Sequence, residues 1–124
     1  MSSKVKMGIR ILFGVFCIIF GANKFANFLP PFEIAGDGGV LMGIYFSSGF
    51  FFLIGALEFL GGLALVTNKF FPLALTILTA IMFNAIVFHI LHDPAGIGGA
   101  ALGLILSLTL VVLNKDRFSQ VLSA

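Results

Sequence analysis

The chain has 124 residues, enough for one domain, and 60% of them are hydrophobic against 10% charged. Soluble domains run near 45–50% and 25%, so with a mean hydropathy of +1.17 a soluble globular class is excluded. The formal net charge is only +2 and the basic residues are scattered between apolar runs, which excludes a nucleic-acid footprint. The expected fold class is an all-α membrane protein, a four-transmembrane-helix bundle forming a single domain over residues 1–124.

Met1 to Lys6 is short and basic, and an apolar run with one interruption at Arg10 follows to Ala22. A basic start before an apolar stretch is also the pattern of a signal peptide. No clear A-x-A-like site follows, however, and the apolar character resumes at Phe25, Phe28 and Leu29. The first span is therefore expected over about 5–28, ended by Pro30 and Pro31. Arg10 falls one turn inside the boundary, where snorkelling to the headgroups accounts for it; it is also a candidate for binding a ligand or partner. Cys17 is the single cysteine. It has no partner for an intramolecular disulfide or a C-x-x-C redox pair and reads as a small buried filler.

Pro30 to Ser48 is the one sizeable connection, carrying Glu33 and Asp37 with Gly36, Gly38 and Gly39 as turn formers. Its second half, Val40 to Phe46, is apolar again, and a short interfacial helix between spans one and two is expected there.

The second span, about 50–67, follows Gly49 and holds one ionisable group, Glu58. About 20 apolar residues cross a bilayer core, so Glu58 falls near mid-depth. A carboxylate there costs about 2.5–3.5 kcal/mol on insertion scales when it meets lipid, which turns it toward protein or water. Gly55, Gly61 and Gly62 stand at i−3, i+3 and i+4 from it. Small residues on one face admit a close neighbouring helix.

A tight turn at Asn68-Lys69 leads to the third span, about 71–91, with Pro72 in its first turn and Asn84 and His89 along it. His92-Asp93-Pro94 closes it. The fourth span, about 97–113, opens glycine-rich, and Gly99 with Gly103 makes a GxxxG match for helix packing. The tail after Asn114-Lys115 is mildly amphipathic and is expected at the surface.

With four spans, both termini and the Asn68-Lys69 turn share one side. That side holds Lys4, Lys6, Arg10, Lys69, Lys115 and Arg117, while the other holds Lys24 with Glu33, Asp37 and Asp93. The positive-inside rule then places both termini in the cytoplasm. By depth, Lys24, Glu58, Asn84 and His89 are expected to converge in the outer half of the bundle, with Lys24 offsetting the charge of Glu58. Gly21 and Gly55 join Gly61 and Gly62 as expected packing positions. His89, His92 and Asp93 form an HxxHD pattern whose i, i+3 spacing suits some metal sites. It lacks a third firm ligand, and no metal is expected. No P-loop, Rossmann, serine-hydrolase, zincin or haem-attachment signature appears.

Three pieces, taken together, are familiar. Arg10 is followed by FGVFCIIFGANKF, with Gly-x-x-Lys at Gly21 to Lys24; ALEFLGGLALV contains Glu-x-x-Gly-Gly; FNAIVFHILHDPAG ends the third span. In their order and spacing, and over nearly the whole chain, these resemble the DoxX family of small four-helix bacterial membrane proteins. The resemblance marks Arg10, Gly21, Lys24, Glu58, Gly61 and Gly62. It implies a link to thiosulfate:quinone oxidoreductase and to membrane complexes of thiol and oxidative-stress defence. Without paired cysteines or a cofactor motif, this chain is expected to be a non-catalytic binding or accessory subunit of such a complex in the bacterial inner membrane. Its expected partners are the lipid bilayer and either another membrane protein or a second copy. The alternatives are a quinone-interacting oxidoreductase subunit, with quinone as the candidate cofactor, and a small transporter component.

Overall fold

The computed structural model describes residues 2–29 and 33–124. Helix α1 spans Ser3–Ala26. The Ser2 hydroxyl accepts the Val5 amide at 3.3 Å, satisfying one of the donors that a helix start leaves free. At the other end Asn27 takes a left-handed conformation, φ 51°, and its amide returns to the Asn23 carbonyl. The Asn23 side chain then accepts the Leu29 amide at 2.7 Å. The expected span reached residue 28, but this asparagine cap stops α1 earlier. Pro30 and Pro31, the expected breakers, lie outside the described residues.

Helix α2 spans Gly36–Ser48 and is longer than the apolar stretch alone suggests. Gly38 and Gly39, expected in a turn, are helical, because Asp37 in the first turn complements the helix N-terminus and Gly38 is buried against Ile34 and His92. Gly49, with φ 81°, ends α2 and separates it from α3, Phe50–Thr67. Ring pairs Tyr45–Phe50 and Phe46–Phe51 pack across that break at 5.1 and 4.4 Å.

Asn68 and Phe70 both adopt left-handed backbone at the tight turn into α4, Phe71–His92. A three-residue 3₁₀ turn, Pro94–Gly96, leads to α5, Ile97–Leu113. The chain closes with a second 3₁₀ turn, Lys115–Phe118, and one helical turn, Ser119–Leu122. The tail is expected at the surface, and its last six residues, Ser119 to Ala124, are exposed. Phe118 instead tucks beneath the bundle, 6.1 Å from the Phe71 ring.

Among the described residues four helices are thus long and apolar enough to cross a membrane, with the fourth counted from Pro94. They run up and down in turn. Gly14 faces Gly62 and Gly21 faces Gly55, so α1 and α3 are antiparallel and make the most extensive helix contact. Gly61 faces Leu78 across α3 and α4, and Gly103 faces Met82 across α5 and α4. The large buried side chains, among them Phe13, Leu65, Phe71, Leu75, Leu78 and Leu110, gather toward the end that holds both termini. The half containing Glu58 is packed through glycine instead.

Candidate functional site

On α3 the buried residues are Gly55, Glu58, Gly62 and Leu65, a spacing of three and four that makes one stripe. Glu58 is the ninth residue of α3, about 12 Å along the helix at 1.5 Å per residue. The facing stripe of α1 buries Phe13, Gly14, Cys17 and Gly21. A Cβ on Gly21 would stand 2.6 Å from the Phe59 amide and 2.7 Å from the Gly55 carbonyl. One on Gly62 would stand 2.6 Å from the Gly14 carbonyl. The two backbones therefore touch on either side of Glu58, and only glycine permits that approach.

This close approach brings the stem of Lys24, one turn beyond Gly21, over α3. Its Nζ lies 2.5 Å from Glu58 Oε1. The glutamate is 3% exposed, whereas the lysine side chain keeps 17% of its surface. Oε1 takes no well-directed hydrogen bond although Nζ is so near. The Phe51 ring also meets the ammonium, 5.2 Å from Nζ to its centroid, within the range of a cation–π contact. Phe25 and Phe52 pair at 5.5 Å beside Gly55. Cys17 is wholly buried on the same α1 stripe as Gly21.

The other expected members of the cluster lie apart from it. Asn84 is exposed. It follows Met82 of the buried α4 stripe by two residues, about 200° around the helix, so its amide points away from the bundle. His89 lies on the buried side but pairs within its own helix end: Nδ1 is 3.1 Å from Asp93 Oδ2 and 3.2 Å from the Asp93 carbonyl. Both partners only accept, so Nδ1 carries the proton and donates. His92 packs against Gly38 and Phe88 instead of joining His89. Among the described residues no three His, Cys, Asp or Glu side chains gather, and no hydrogen bond or ion pair links Asn84 or His89 to Glu58.

Arg10 does not simply extend to the headgroups. Its Nη1 donates to the carbonyls of Leu65 and Val66, at 2.5 and 3.0 Å, in the last turn of α3; the Leu65 carbonyl also accepts the Asn68 amide at 3.2 Å. Among the glycines, Gly55 and Gly62 share the face of Glu58, while Gly61 turns to Leu78. Gly103 is packed by Met82 and Phe16, but Gly99 meets open space, so the GxxxG pair does not act as a unit within one chain. The small stripe that does pack is Ala100, Gly103 and Ser107. Sequence reasoning does not point to Phe51, and the one available signal is its position seven residues before Glu58.

No protein-family model, curated protein or solved structure matches this chain.

Proposed function

We propose that this is a non-catalytic accessory subunit of a redox or oxidative-stress complex in the bacterial inner membrane, similar to DoxX proteins, with both termini in the cytoplasm. The observation that supports a binding role is the Lys24–Glu58 pair, set between two of the four apolar spans of the bundle. A mid-span ion pair is expensive to place in hydrocarbon, and such groups mark functional positions by default. In this reading the glutamate holds the lysine, and the partly exposed ammonium presents its remaining donors to a polar group entering from the membrane side. That group belongs to a lipophilic molecule or to a helix of a partner subunit. Helix α2 lies along the outer surface of the membrane and shields this end of α3.

A second reading, that the occupant is a quinone, draws on the aromatic rings at this position. The Phe51 ring stands 5.2 Å from the ammonium and the Phe25 and Phe52 rings pair on the same two helices, an arrangement that suits a flat ring whose carbonyl accepts from Nζ. Native mass spectrometry of gently extracted protein, with quinone analysis of the same sample, tests both. A stoichiometric quinone lost in Glu58→Gln selects the second reading. Co-purification with another subunit, weakened by the same substitution, supports the first. Unchanged folding, association and ligand retention in Glu58→Gln sinks both.

A further inference from the structure

At the end of the bundle opposite the ion pair, the start of α1, the α3–α4 turn and the chain just after α5 line an open cleft of about 190 Å³. Ser3, Lys6, Arg10, Asn68, Asn114 and Arg117 line it. Three of these are cations and none is an acid. Among the described residues, none of the three cations forms an ion pair with a carboxylate.

The arrangement is local and held in place. Ser3, Lys6 and Arg10 fall at i, i+3 and i+7, one face of α1. Arg10 is anchored through Nη1 to the end of α3, leaving its other guanidinium donors unassigned. Arg117 donates through Nη1 to Asn68 Oδ1 at 3.2 Å and lies 4.5 Å over the Phe71 ring, which leaves the Asn68 amide N–H₂ group without a described acceptor. The helix ends do not cancel this charge. Two C-termini, of α3 and α5, and two N-termini, of α1 and α4, meet here, and at about half a charge each they offset one another.

We propose that this cleft binds a phosphate-bearing anion, the headgroup of an anionic lipid in the adjoining leaflet. Guanidinium groups match phosphate oxygens in pairs, and basic pockets between membrane helices are suited to such headgroups. The membrane side of the cleft supplies a place for the acyl chains. Met7 lines it at 48% exposure, and the exposed Ile11 and Leu12 continue along α1 from there. Free inorganic phosphate shares the chemistry but has no use for that apolar border.

The test is native mass spectrometry of the full chain in detergent, titrated separately with phosphatidylglycerol, phosphatidylcholine and inorganic phosphate. One phosphatidylglycerol per chain is expected, in preference to phosphatidylcholine. Lys6→Gln with Arg117→Gln weakens its retention on the order of 30-fold, at the usual worth of two basic residues near an anionic surface. Lys4→Gln with Lys115→Gln removes the same charge outside the cleft and leaves retention within a few-fold of the parent. Lys6→Gln alone, at a side chain without a described hydrogen bond, serves where the double variant fails to fold, with a loss of about fivefold. Thermal stabilisation by inorganic phosphate that depends on Lys6 and Arg117, without lipid retention, keeps the anion site and moves its source to solution. Equal retention of the two lipids, or equal loss from the two double variants, overturns the proposal.

Discussion

Gly21 and Gly55 meet backbone to backbone: a Cβ on the first would lie 2.7 Å from the carbonyl of the second, and one on the second 3.1 Å from the carbonyl of the first. That contact sets the separation of α1 and α3 one turn from the ion pair, and the length of Lys24 is matched to it. Glu58 is thus held by a lysine on one helix because glycines on both helices bring them close enough.

Substituting Gly21 or Gly62 with alanine presses a Cβ to 2.6 Å from a backbone atom of the facing helix, a clash that no side-chain movement relieves. A loss of about 1–3 kcal/mol or more is expected for each, read as a lowered midpoint of unfolding in detergent. Gly8→Ala, Gly43→Ala and Gly99→Ala meet nothing within 4 Å, and in helices they are expected to be neutral or stabilising by up to about 1 kcal/mol. Equal effects in the two groups would dispose of the packing argument.

The contrast between Gly99 and Gly103 shows what can be read from the chain alone. The spans are legible because long apolar runs bounded by Asn, Pro and charged residues have one economical solution in a bilayer; residues 50–67 and 97–113 coincide with α3 and α5. The Lys24–Glu58 pair is legible too, since a mid-span carboxylate needs a counter-charge. Rotation of the helices about their axes is not. Spans three and four are apolar on every side, so nothing in their pattern distinguishes the face of Asn84 from that of Met82, or Gly99 from Gly103. Likewise Arg10 reads as an interfacial residue until the end of α3, with the carbonyls of Leu65 and Val66, is placed beside it.

Arg10 is expected to matter through those carbonyls. Arg10→Gln removes hydrogen bonds from a charged donor, each worth about 1.5–3 kcal/mol, and exposes the last turn of α3. Faster amide exchange across residues 65–69 should accompany the loss of stability. Arg10→Lys, a point donor in place of a fork, should restore only part of it. Unaltered exchange in Arg10→Gln would mean that the contact holds nothing.

Asn84 leads to the opposite expectation. Its amide is exposed and takes no described hydrogen bond, so in a single chain it gives up nothing when replaced. Asn84→Leu should leave stability unchanged or raise it, since an apolar side chain suits lipid better than an amide does. A clear loss of stability, measured by unfolding in detergent at several protein concentrations, would show that the amide has a partner after all.

The ion pair itself calls for a double-substitution cycle. Lys24→Met leaves a buried carboxylate and Glu58→Gln leaves an ammonium against an apolar wall, and breaking a buried pair from one side costs about 3–5 kcal/mol. Because Lys24 keeps 17% of its side-chain surface, the ammonium can turn outward to the headgroups. Glu58→Gln should therefore be the milder of the two changes. Removing both charges together should recover most of the loss, because neither is then left alone. Unfolding midpoints of the four proteins give the coupling directly. Strong coupling with an intact double variant would mean that the fold does not need the charges, and would leave binding as the reason for carrying them into the bilayer. Additive losses would instead mean that Lys24 and Glu58 act on separate neighbours, and the pair as described would not stand.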